Sequence, residues 1–257
     1  MTTDEIHGLA KWFESPLGAT LLQKEARLLV QGVRRFHGDS MLWLGPIAMP
    51  GVELDRCMVR HRVFGGMPGY STRPGGVASS GATYVGSIEA LPFVPASLDA
   101  VVLHHALDCC EDPRTAMREV CKVLRPGGRL IICGFNPVSL WGVRRMLARL
   151  HDDAFSSVRF VNPWRLLDWM AVLGIEADEG MQYTMFRPPI AIGSFERKLW
   201  VRLRAALERA RVPFGGAYYV LGRKSAVGMT RVRGAAALRS SNIGSVVVPH
   251  PTARNPR

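Results

Sequence analysis

After Glu208 the chain has no acidic residue, although nine arginines and lysines still follow. The net charge of +12 is therefore uneven, because the part up to Glu208 carries only +3 and the basic character belongs to the end. Such an end offers phosphates or an anionic surface loose, charge-driven contact, and it lacks the aromatic interleaving of single-strand nucleic-acid binders. Nucleic acid thus stays a weakly supported partner beside the alternative of a solvated tail. Also missing is any apolar run near the roughly 20 residues of a helical membrane span. The opening MTTDEIHGLAKW holds acids and no apolar run, so no secretory signal is expected and the cytoplasm is the expected compartment. The five cysteines, Cys57, Cys109, Cys110, Cys121 and Cys133, show neither Cys-x-x-Cys nor metal-finger spacing. That agrees with a reducing compartment, and no metal site is legible. There is no internal repeat.

What the chain does have, over 257 residues with 47% apolar content, is enough material for a sizeable core. Its organising stretch runs from Thr83 to Phe135. Leu98 to Leu103 is short, apolar and bounded by turn residues, which predicts a buried strand. A helix follows, with Asp112 as N-cap, Pro113 at the first helical position, and an apolar stripe of Ala116, Met117, Val120, Val123 and Leu124. Pro126-Gly127-Gly128 is the expected stop, and Arg129 to Cys133 is a second buried strand. A crossover of this length joins parallel neighbours with right-handed geometry.

Elsewhere, Ser15-Pro16 predicts a helix running to Gly38, and strands are expected at Ser40–Gly45, Met58–Phe64, Tyr84–Gly86, Ile175–Phe186 and Gly215–Gly222. Asn136-Pro137 and Asn162-Pro163 repeat the cap-then-proline signal. A basic amphipathic helix is expected from Ser194, and composition predicts disorder from Ser225 onward. Three parts result: a helical lead over 1–38, an α/β domain over 39–224 and a basic tail over 225–257.

Leu91-Pro92-Phe93, Ser97-Leu98-Asp99-Ala100-Val101-Val102, Asp112-Pro113, Glu119-Val120 and Val123-Leu124-Arg125-Pro126-Gly127-Gly128 stand in register over some fifty residues. This wording resembles class I S-adenosylmethionine-dependent methyltransferases of the type 11 group. Gly134-Phe135-Asn136-Pro137-Val138-Ser139, with the Trp12 to Leu22 opening, is similar to an uncharacterised proteobacterial subgroup of it. The resemblance implies a Rossmann-like class I fold, a mostly parallel seven-stranded sheet flanked by helices. It implies S-adenosylmethionine as cofactor and methyl transfer to a small-molecule acceptor. Family positions place the cofactor near Leu44, Gly45, Pro46 and Ala48 after the first strand, Ser87, Ile88 and Glu89 after the third, and His104 after the fourth.

Several of those positions depart from the family pattern. Gly45-Pro46-Ile47-Ala48-Met49 keeps only the first glycine of the usual Gly-x-Gly-x-Gly loop, and Pro46 removes a backbone donor. Gly65-Gly66-Met67-Pro68 stands where a ribose-holding carboxylate is usual, and Ser87 where an aspartate commonly holds adenine. Glu89 is a substitute for that aspartate or a plain loop acid. The alternative function is a methyltransferase-like binding or regulatory module that has lost cofactor affinity.

The stretch His104-His105-Ala106-Leu107-Asp108 follows the fourth strand, at the sheet edge where open α/β proteins take ligands. His104 and His105 are the candidate catalytic bases, their ordinary pKa lying near working pH, with packing against the cofactor as the other reading. Asp108 and Asn136 are candidate substrate contacts; Asp108 also reads as orienting one of the histidines or capping the local turn, and Asn136 as a helix cap. Cys109 and Cys110, lacking a basic partner, read as small core residues.

Overall fold

The computed structural model describes residues 3–46, 57–66, 82–139, 141–142, 145–146, 155, 158–184 and 215–225. These include four helices, α1 (Thr3–Glu14), α2 (Pro16–Val33), α3 (Pro113–Val123) and α4 (Pro163–Val172). Seven strands accompany them: β1 (His37–Leu44), β2 (Met58–Gly66), β3 (Ala82–Val85), β4 (Leu98–His104), β5 (Leu124–Phe135), β6 (Ile175–Thr184) and β7 (Ala217–Lys224). The strands form one sheet in the order β3-β2-β1-β4-β5-β7-β6. The pairs β1–β2, β2–β3, β1–β4 and β4–β5 are parallel, whereas β7 runs antiparallel to both β5 and β6. This is the expected Rossmann-like class I methyltransferase fold. The order reverses between β1 and β4, so the crevice of an open α/β sheet lies at their carboxyl ends.

Both sheet faces are covered, which is why the central strands are apolar without alternation. Met41, Trp43, Ala100, Val102, Ile131 and Cys133 pack with Leu29 and Val33 of α2 on one face. Leu42, Leu44, Val101, Leu103, Leu130 and Ile132 pack with Met117 and Val120 of α3 and Leu166 of α4 on the other.

The cap-then-proline signals placed three helix starts. Ser15 Oγ accepts from the Gly18 N–H at 3.2 Å, Asp112 Oδ1 from the Arg114 N–H at 2.9 Å, and Asn162 Oδ1 from the Trp164 N–H at 2.9 Å. Asn136 differs. Its Oδ1 accepts from the Val138 N–H at 3.0 Å, closing a local turn, and the helical residues at 141–142 begin beyond it, where Ser139 Oγ accepts from the Gly142 N–H at 3.3 Å. The opening segment, part of the expected helical lead but with no helix start predicted before Ser15, is the helix α1, whose Leu9, Ala10, Trp12 and Phe13 are buried.

Pro126-Gly127-Gly128 also acts differently from the expected helix stop. Leu124 has already left the helix as C-cap, and the tripeptide lies inside β5. The pairing of β4 with β5 slips there, from Leu98↔Leu124 to Ala100↔Arg129, with Gly127 at φ 81°. A bulge therefore absorbs the extra residues. The carbonyls at the end of α3 are met instead by Lys224, whose Nζ donates to Cys121 O at 2.6 Å and Leu124 O at 2.8 Å.

The Asp99 of the family wording is structural. Its Oδ2 accepts from the N–H groups of Asp39 (2.7 Å) and Ser40 (3.0 Å), and its Oδ1 from Arg125 at 2.9 Å. It thus ties the start of β1 to β4 and β5. Ala48, the loop at 71–80, the helix expected from Ser194 and the tail beyond Ser225 lie outside the described residues.

Candidate functional site

The site is built where β4 ends. Strand alternation turns Ala100, Val102 and His104 toward α2. The next residue would ordinarily point to the other face. His105 instead takes a left-handed backbone with φ 54°, a costly conformation for a residue with a Cβ. Its N–H donates to Cys133 O at 3.0 Å, and its ring reaches the same partner as His104.

That partner is Glu25, on the buried stripe of α2 formed with Gly18, Leu21, Leu29 and Gly32. Glu25 Oε2 lies 3.0 Å from His104 Nε2, and Oε1 lies 3.1 Å from His105 Nε2. On its other side His105 Nδ1 meets Asp108 Oδ2 at 2.8 Å, and the same oxygen accepts the Phe135 N–H at 3.0 Å. Glu25 is 1% exposed and His104, His105 and Asp108 are wholly buried. Among the described residues His104 Nδ1 and Asp108 Oδ1 find no partner.

The electrostatics follow from this wiring. Burial works to raise the Glu25 carboxyl, but the charge on His105 and hydrogen bonds from both imidazoles outweigh it and hold it at about 2. Burial likewise opposes charge on His105, yet Glu25 and Asp108 on either side push it up to about 9. His104 is held below its ordinary value by burial in spite of Glu25, and Asp108 is raised by burial in spite of His105. At neutral pH His105 is thus an imidazolium with both N–H groups given to carboxylates, and His104 is neutral. The expected base therefore stands differently here. Both rings have their Nε2 engaged by Glu25 and neither has solvent exposure.

Aromatic rings close the site at the ends of β4 and β5. Phe135 lies 4.3 Å and Phe13 5.1 Å from the His105 ring, centroid to centroid. Trp12 packs edge-on against Phe135, Trp141 and Phe155 at 5.8, 5.2 and 4.9 Å.

The remaining predicted residues are dispersed. Leu44, Gly45 and Pro46 are buried at the end of β1. A Cβ on Gly45 would come within 2.3 Å of the His104 carbonyl oxygen, so the sheet itself demands glycine there. Ile88 is buried in the core, while Ser87 is exposed and its Oγ accepts the Glu89 N–H at 3.1 Å. Glu89 is committed to α3: its Oε1 accepts the Asp112 N–H at 2.7 Å. Asn136 is buried, and its Nδ2 donates to Gly215 O at 2.8 Å, fastening the end of β5 to the approach of β7. Glu25 was missed by sequence reasoning, although a signal existed in an acid at a stripe position between Leu21 and Leu29.

The strand ends offer one test of the implied S-adenosylmethionine. β1 and β3 are each followed directly by glycine (Gly45, Gly86), and β2 ends in Gly65-Gly66, but a Cβ on Gly45, Gly65 or Gly86 would meet the His104 carbonyl oxygen, Leu44 or Tyr84 at 2.3, 2.2 and 2.1 Å, so these three glycines serve packing. At the end of β3 stands the exposed Ser87 hydroxyl, whose hydrogen is free to donate while its oxygen accepts. Ser87 is the feature that suits an adenosyl group, and the customary ribose carboxylate is absent from the sequence after β2.

Comparison with known proteins agrees with the fold. Residues 72–132 match the family described as methyltransferase domain, type 11. The chain is 28% identical over 167 residues to the uncharacterized protein YafS of Escherichia coli K12, covering 64% of each. It is 37% identical over 95 residues to malonyl-[acyl-carrier protein] O-methyltransferase of Methylococcus capsulatus, covering 35% of this chain and 34% of that one. These matches span less than two thirds of either relative. Among solved structures, the complex of the Haloferax volcanii Trm112 methyltransferase activator with its putative methyltransferase holds a similar chain. The TM-score is 0.58 at 15% identity, over 85% of this chain and 98% of that one.

Proposed function

We propose that this chain, which carries a methyltransferase domain on the class I S-adenosylmethionine-dependent fold, transfers a methyl group to a small-molecule acceptor. The observation that carries the reading is the sheet order, which sets the switch point of β1 and β4 beside the glycine-tipped ends of β2 and β3. Leu44, Gly45, Pro46 and Ala48 after β1, and Ser87, Ile88 and Glu89 after β3, are the positions that would hold the cofactor. When bound, S-adenosylmethionine supplies a methyl group already activated on a sulfonium.

This chain's own residues would then position and desolvate rather than move protons. Glu25, His105 and Asp108 fix the turn after β4, and Asn136 fixes the turn after β5. The buried ring cluster of Phe13, Trp12, Phe135 and Phe155 excludes water from the same edge.

One observation favours the second reading, a binding module without cofactor. No carboxylate stands at the end of β2, and Glu89 already serves the Asp112 N–H. Calorimetric titration of the full chain with S-adenosylmethionine and S-adenosylhomocysteine tests both. Ser87→Arg is the control, because Ser87 is exposed and its substitution leaves the core intact. Micromolar binding lost in Ser87→Arg is the expected result. Absence of heat for both compounds at high concentration would sink the methyltransferase reading in favour of the module.

A further inference from the structure

We propose that Glu25, His104 and His105 form a binding site for one divalent transition-metal ion of the zinc class. The ligating atoms of all three lie within 4.8 Å of one another. Both imidazoles turn Nε2 to the same carboxylate, at 3.0 and 3.1 Å. Tetrahedral coordination at about 2.0–2.1 Å separates ligand atoms by roughly 3.3 Å, close to both carboxylate–imidazole distances, so the ion would enter by drawing the three groups together around it. Two imidazoles and one carboxylate suit zinc and its neighbours rather than calcium or magnesium, which take oxygen ligands.

Asp108 supplies the second argument. Its 2.8 Å contact to His105 Nδ1 holds the N–H on that nitrogen and turns the Nε2 lone pair inward, as carboxylates do behind metal-bound histidines. Asp108 is itself fixed by the Phe135 N–H. All four side chains are buried, and His104 Nδ1 and Asp108 Oδ1 find no partner among the described residues. The ligands come from α2 and from the end of β4, so the ion would clasp the leading helices onto the carboxyl edge of the sheet. The separation of 79 positions between Glu25 and His104 explains why no spacing motif announced it.

The test is independent of methyl transfer. Full-length protein, prepared without metal-affinity chromatography and stripped with chelator, is titrated with Co²⁺ and followed by visible absorption. The expected result is a tetrahedral-type spectrum saturating at a single equivalent and displaced by Zn²⁺. Asp108→Asn should weaken the binding about 10- to 100-fold. Glu25→Gln should abolish it, while His37→Ala, on an exposed residue outside the cluster, should leave it unchanged. No spectrum in the wild-type protein overturns the proposal, and so does unchanged binding in a folded Glu25→Gln variant. Should Glu25→Gln fail to fold, the wild-type titration and Asp108→Asn decide the question.

Discussion

Replacing Glu25 by alanine removes a single carboxylate and leaves two imidazoles facing each other in a dry interior. The residue is 1% exposed, bonds two wholly buried histidines and comes from a helix that otherwise meets the sheet through apolar contacts. Breaking a buried pair by removing one partner costs about 3–5 kcal/mol, and the lower end is expected because Asp108 still faces His105 Nδ1. For a chain of this size each kcal/mol shifts Tm by about 2–4 °C, so a fall on the order of 10 °C is expected. Urea unfolding with excess chelator isolates this term from any bound metal. Adding His104→Leu to Glu25→Met should recover part of the loss, since apolar packing replaces an ion pair at little cost when volume is conserved. A loss below about 1 kcal/mol in Glu25→Ala, the range of an exposed pair, would refute the reasoning.

Two further outcomes follow from the same geometry. Gly45→Ala should destabilise the chain by about 1–3 kcal/mol with or without cofactor, because its Cβ would meet the His104 carbonyl oxygen at 2.3 Å. Equal stability of variant and wild type by urea unfolding would show that the approach is not constrained. For Asp99, burial would raise the carboxyl, but the N–H groups of Ser40 and Asp39 and the Arg125 guanidinium together hold it below its ordinary value. Its contribution is therefore present above the ordinary aspartate range and is lost as pH falls through the lowered folded value. Asp99→Asn should flatten the acid limb of a stability-against-pH curve, and an unchanged limb would contradict that assignment.

Local chemistry made much of the fold legible. Ser15-Pro16, Asp112-Pro113 and Asn162-Pro163 mark helix starts because a cap oxygen and a fixed φ act within three residues. The apolar runs of β4 and β5 mark strands buried on both faces. Pro126-Gly127-Gly128 misled because the same residues that stop a helix also form a bulge, and only the pairing of β4 with β5 chooses between the two. Asn136 misled similarly, since its amide is claimed by Gly215, a residue 79 positions away.

The sequence by itself determined the order of elements, the glycine-tipped strand ends and the absence of an acid after Gly65-Gly66, all of which are properties of neighbouring residues. Only the tertiary structure decided what the polar residues do. It set Glu25 against His104 and His105, turned His105 out of strand alternation through a left-handed φ, and drew Glu89 away to Asp112. The physical reason is that a buried charge must be matched by whatever group the fold brings within about 3 Å, and that distance is fixed by packing rather than by position along the chain.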